Sequence, residues 1–273
     1  MSTIVAVRHA RARSRPDREH RPLKSTAGLR RDVGAEAVRV FSTRGWLVLL
    51  ALAILLPVVG TAAMVLSTGK SSGVDVEAVR KVLSSGFSAG LLATLLGVLS
   101  VTSEYRHGTV GASLMACGSR TRWALSKLLV ACPLGLFFSL AGQAAVLGVG
   151  LPLLAGKGVH PDVWSGDLLL TTLGTGTLGF FAAAWGVGLG LCIRSQLAAV
   201  AGVVLYSTLA EAAFLQYVPS VGKYLPGGAQ AAIVVDPTLQ HLPMAAGYLL
   251  FAAWAALSLL VGRMLLIRRD LPG

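Results

Sequence analysis

Six apolar stretches dominate this sequence, and five of them contain no charged residue at all. They are Trp46 to Leu66, Ser84 to Ser103, Leu128 to Leu154, Leu168 to Ile193, Ser195 to Tyr217 (interrupted by Glu211) and Leu242 to Gly262. Each has about the ~20 residues that a helix needs to cross ~30 Å of hydrocarbon. The 273 residues are 54% hydrophobic and 13% charged, whereas ordinary soluble domains run at about 45–50% and 25%. A soluble fold of this size would leave large apolar patches in water. The pattern therefore predicts an all-α polytopic membrane protein with six transmembrane helices. The first stretch is too long for the 7–15-residue core of a signal peptide, and 45 residues precede it, so it reads as a retained helix.

The net charge of +12 is unevenly spread, with eleven of the 24 Lys and Arg residues lying before the first apolar stretch. Residues 1–40 contain no Phe, Tyr or Trp on which bases could stack, which argues against nucleic acid and for contact with membrane lipids. Placing the N-terminus inside gives nineteen Lys and Arg on that side against five on the other. The positive-inside rule then predicts both termini in the cytoplasm and a multi-pass protein of the cytoplasmic membrane. The three cysteines have no metal-type or redox-type spacing and read as small buried hydrophobes.

Three segments lie outside the spans. Residues 1–29, Arg-rich and poor in apolar side chains, read as a disordered cytoplasmic tail. Residues 30–45 read as an amphipathic interfacial helix, with Val33, Ala37, Val40 and Phe41 toward lipid and Asp32, Glu36, Arg39 and Thr43 toward water. Residues 46–273 form the six-helix domain. Within it, residues 218–241 carry Pro219, Pro226 and Pro237 between apolar pieces too short to span, which suggests half-buried or re-entrant helices on the outer face.

Nothing in the chain matches a phosphate-binding G-x-x-x-x-G-K-[ST] loop. Gly174, Gly176 and Gly179 match G-x-G-x-x-G, but inside an apolar helix with no preceding strand; close helix packing explains them, as it explains the GxxxG spacings Gly86/Gly90 and Gly186/Gly190. No catalytic constellation and no metal-ligand set is present, so the chain reads as non-catalytic on its own. Glu211 is the one acid within a predicted span. An intramembrane carboxylate costs about 2.5–3.5 kcal/mol on insertion scales, and Glu211 reads either as reaching the interface to pair with Lys223 or as part of a substrate pathway. Gln143 and Tyr206 are further pathway candidates or interhelical hydrogen bonders.

The loop between the second and third spans is the most informative segment. It reads SEYRHGTVGASLMACGSRTRWALSK over residues 103–127: Glu104, Arg106, Gly108 and Thr109, a short helical pattern through Val110 and Leu114, then Ser119-Arg120 and Lys127. This resembles the ABC-2 family of ABC transporter permeases, whose first cytoplasmic loop carries an E-x-R-x-G-T run, a short helix, an S-R pair and a Lys. The polar lead into the first span, the six spans, Leu225-Pro226-Gly227-Gly228 in the last outer loop and the closing Arg268-Arg269-Asp270 extend the likeness along the chain. Where family members often have a proline before the S-R pair, this chain has Cys117-Gly118.

The resemblance implies a permease subunit that pairs with a second copy or a related permease and is powered by cytoplasmic ABC ATPase subunits. This chain would bind no cofactor, ATP and Mg residing on the ATPase, and would export a lipid-linked, amphiphilic or drug-like substrate. Glu104, Arg106, Gly108, Thr109, Leu114 and Arg120 are the expected coupling residues, their charges near water and worth about 0–1 kcal/mol per pair. The alternatives are an ion-coupled secondary transporter, which needs mid-membrane charges beyond Glu211, and a non-transporting membrane anchor or assembly protein.

Overall fold

The computed structural model describes residues 25–67, 76–236 and 242–268. Residues 1–24 of the expected tail, and residues 237–241 of the last connecting segment, lie outside the described residues.

Helix α1 (Ser25–Ser42) leads into α2 (Gly45–Ser67). Helix α3 (Val76–Ser84) continues through a 3-10 turn into α4 (Ser88–Arg106), followed by the short α5 (Val110–Cys117) and two long helices, α6 (Arg120–Ala155) and α7 (Gly166–Cys192). Then come α8 (Gln196–Leu205), a π-helical turn (Tyr206–Ala210), α9 (Glu211–Tyr217), α10 (Pro219–Gly222), α11 (Pro226–Ile233) and α12 (Met244–Arg268). No strand occurs among the described residues. Six helical units, α2, α3–α4, α6, α7, α8–α9 and α12, are long and apolar enough to cross a membrane. At 36 residues α6 is ~54 Å long at 1.5 Å per residue, so its ends must project beyond a ~30 Å hydrocarbon layer.

Helix α7 is the centre of the bundle, packed by α4, α6 and α12. Its small residues make this possible. A Cβ on Gly186 would strike the Thr94 carbonyl of α4, one on Gly179 the Gly135 carbonyl of α6, and one on Gly174 the Ile233 carbonyl of α11. The G-x-G-x-x-G stretch is thus a packing surface, where backbones meet in van der Waals contact with no side chain between them. Helix α2 buries only a narrow stripe, Ala53, Pro57, Thr61 and Val65, at intervals of four. Pro57 has no N–H for the Ala53 carbonyl, and Gly142 of α6 comes against that carbonyl. The rest of α2, including Leu52, Leu55, Leu56 and Val59, is exposed apolar surface suited to lipid.

The spans alternate in direction, giving an end that carries α5 and an opposite end that carries α10 and α11. At the opposite end Arg80 pairs with Asp167 at 2.5 Å and the Lys157 ammonium donates to the Val65 carbonyl. All eight residues of α11 are buried, deeper than the half-buried helices expected from its prolines.

Helix α1 departs from expectation. Its polar stripe does not face water: Glu36 is buried, and Asp32 and Arg39 also turn onto the bundle, whereas Val38 and Phe41 are 70% and 53% exposed. The reason is electrostatic, since α6 presents two cations, Arg122 and Lys127, toward α1. Paired acids are better placed there than in solvent, and α1 turns accordingly.

Candidate functional site

Helix α4 ends in a sharp reversal. Gly108 has φ +68°, the left-handed region that side chains with a Cβ resist. The Thr109 N–H donates to the Glu104 carbonyl at 3.0 Å and the Gly108 N–H to the Tyr105 carbonyl at 3.3 Å, the paired bonds of a Schellman stop. Helix α5 then runs for eight residues and ends on Gly118, again left-handed at φ +66°, whose N–H donates to the Leu114 carbonyl at 2.9 Å. Val110 and Leu114 bury the inner face of α5 against Val101, Trp123, Val187 and Leu266. Leu114 is therefore a core residue beneath α5, not a ridge offered to a partner. The outer face carries Thr109, Ala112, Met115 and Ala116, all exposed, with Met115 at 79%.

A buried ionic network lies behind this corner. The Lys127 side chain is fully buried, and its ammonium donates to Glu104 Oε1 at 2.5 Å, to the Ser100 carbonyl at 3.0 Å and to both Glu36 oxygens at 3.3 Å. The Trp123 ring lies 4.6 Å from it, close enough for a cation–π contact. Glu104, only 3% exposed, uses its second oxygen to accept from the Ser113 hydroxyl of α5 at 2.5 Å and the Trp123 indole at 3.1 Å. Arg39 of α1 pairs with both Glu104 and Glu36 and donates to the Ser100 carbonyl at 2.7 Å. Two carboxylates thus meet two cations, and Arg122 to Asp32 at 2.6 Å adds a second tie between α6 and α1.

The chemistry of this arrangement is mechanical. Glu104 connects four helices, α1, α4, α5 and α6, through one side chain. Its role exceeds the 0–1 kcal/mol expected of a solvent-exposed pair, because removing one partner of a buried pair leaves an uncompensated charge and costs about 3–5 kcal/mol. A single-residue deletion at Glu104 is therefore a folding lesion, contrary to the expectation drawn from its position in a polar loop.

The other expected residues are dispersed. Arg106 is exposed on the end of α4 and has no ion-pair partner among the described residues. Arg120 donates to the Leu266 and Ile267 carbonyls at 2.5 and 2.9 Å, tying the last turn of α12 rather than holding α5. Gln143 is buried in the bundle beside Gly86 and Thr175, and both of its amide atoms lack hydrogen-bond partners among the described residues. Tyr206 opens the π-turn and neighbours Glu211. Glu211 does not reach Lys223, whose ammonium lies 5.2 Å from the Tyr224 ring; its Oε1 accepts the Gly227 N–H in the first turn of α11.

Glu36, Arg39, Trp123 and Ser113 are the members of the network that lie outside the loop motif, and Lys127, which closes that motif, was not among the expected coupling residues. A signal for Lys127 exists in the sequence: Trp123, Lys127 and Ala131 recur every fourth residue on the face of α6 that proves buried. Among the described residues no group of three or more His, Cys, Asp or Glu side chains is placed to hold a metal. No family model matches the chain, and no curated protein matches it.

Proposed function

We propose that this chain is the membrane-spanning permease subunit of an ABC-2-type ATP-binding-cassette transporter, an exporter of the cytoplasmic membrane driven by separate ATPase subunits. The observation that carries this reading is the α4–α5–α6 corner. A short helix, fixed at both ends by left-handed glycines and from behind by a neutral buried ionic network, presents an uncharged face of small side chains and one prominent Met115. Transport driven by an external ATPase needs such an element, because a conformational change in the ATPase reaches the spans only through a part that does not yield.

In this reading the α5 end and both termini are cytoplasmic, α11 is a re-entrant helix on the outer side, and ATP and Mg are bound by the partner. A second permease copy covers part of the exposed apolar surface of α2 and α8–α9. Arg106 and His107, exposed beside α5, supply polar contacts at the rim of the ATPase interface.

Purification of the tagged chain from its native membranes tests the reading. The expected result is stoichiometric recovery of a nucleotide-hydrolysing subunit with wild-type protein and its loss with Met115→Arg at equal folded yield. A complex without an ATPase, or specific ATP binding by the isolated chain, overturns it in favour of ion-coupled transport or a non-transporting anchor.

A further inference from the structure

At the end opposite α5, helices α4, α7, α9 and α11 and the π-turn enclose a cavity of about 270 Å³, roughly nine times the ~30 Å³ that a water occupies in the liquid. That is too large for a bare ion and suits a small organic group. Leu91, Trp185 and Leu215 provide apolar walls, and Glu211, Gln230 and Asp236 line it as well. No Lys, Arg or His among the described residues lines it.

Two features single out this cavity. Glu211 is 3% exposed, and the Gly227 N–H bonded to it is a dipole, not a neutralising cation. Gln230, 6% exposed, lines the same cavity from α11. Trp185 also walls a second, apolar slot of about 430 Å³ between α7, α8 and α12, with Val203, Trp254 and Leu257.

We propose that these two spaces form one site for an amphiphilic monocation. Its ammonium group sits between the Glu211 carboxylate and the Trp185 ring, donating to the Gln230 amide oxygen, and its apolar part lies in the neighbouring slot. Opposite charge, an aromatic face and an amide acceptor recognise an ammonium together, and they disfavour an anion of the same shape. As a cargo site this rests on the transport reading above; the binding itself does not.

The test uses the full chain in phosphatidylcholine nanodiscs, with empty nanodiscs subtracted. The probes are 4-phenylbutylammonium and its uncharged isostere pentylbenzene, measured by equilibrium binding. The ammonium should bind about tenfold more tightly, and Glu211→Gln, which keeps an acceptor for Gly227, should abolish the preference. If that variant is recovered poorly, Trp185→Leu carries the same test, reducing the preference. Equal binding of the two probes, or a preference unchanged by these substitutions, overturns the proposal. Because no ATPase is present, loss of the site leaves the permease reading standing, and absence of an ATPase partner leaves the site standing.

Discussion

Lys127 and Glu104 meet at 2.5 Å inside the bundle, one fully buried and the other 3% exposed. The two residues come from successive spans, and the helix that joins them, α5, is bonded to the same carboxylate through Ser113. The position of α5 therefore depends on a charge pair behind it, not on the loop's own contacts with solvent.

Glu104→Ala or Lys127→Met alone should destabilise the protein by about 3–5 kcal/mol, each leaving one buried charge in excess. The double replacement leaves Glu36 and Arg39 to balance each other and should recover a large part of that loss. A double-mutant cycle from thermal unfolding in detergent measures the coupling; additive single effects would refute the network.

Gly108 has open space around its Cβ position, so substitution there tests backbone conformation alone. Gly108→Asn should be nearly neutral, because Asn tolerates the left-handed region. Gly108→Val should cost about 1–3 kcal/mol. Unfolding midpoints of the two variants compare them directly, and equal losses would place the constraint elsewhere.

Burial, followed by the Asp32 carboxylate, pushes the Cys117 thiol above its ordinary value of 9.0. Only the thiolate reacts with maleimides, so a raised value lowers reactivity at neutral pH and shifts labelling to more alkaline solution. A cysteine at the exposed Met115 position, in a background without native cysteines, should label faster at pH 7.5 than Cys117 alone. Rates taken between pH 7 and pH 9 check both points, and labelling of the Met115→Cys protein only after permeabilisation is expected if α5 is cytoplasmic.

Arg120→Ala removes two donors from the last carbonyls of α12. Loss of such bonds costs about 1–3 kcal/mol, and the effect should be local. Hydrogen exchange should accelerate over residues 262–268 while α5 keeps its protection. Accelerated exchange in α5 would instead return Arg120 to the role expected from the loop motif.

The six spans were legible because the membrane imposes a length and a polarity that sequence displays directly; Trp46 to Leu66 falls within α2, and Leu128 to Leu154 within α6. The packing role of Gly174 and Gly179 was legible for the same reason, since small residues in an apolar helix have few other uses. The network was not. Asp32 and Glu36 sit on a polar stripe, and a polar stripe is ordinarily wet; only the cations facing it from α6, 90 or more residues away, turn it inward. Glu211 was visible as an intramembrane acid, but its bond to Gly227 depends on the fold of the α10–α11 segment, which periodicity does not specify.

In the proposed reading α5 is the surface on which a separate ATPase acts. That role is tested most directly by placing a photo-activated crosslinker on a cysteine at the Met115 position in complexes assembled in native membranes. One dominant adduct is expected, with a nucleotide-hydrolysing subunit, and its yield should change between nucleotide-free and ATP-bound states. Adducts with lipid alone, or a yield no higher than that of a crosslinker at the exposed Trp164 position on the opposite end, would contradict that role.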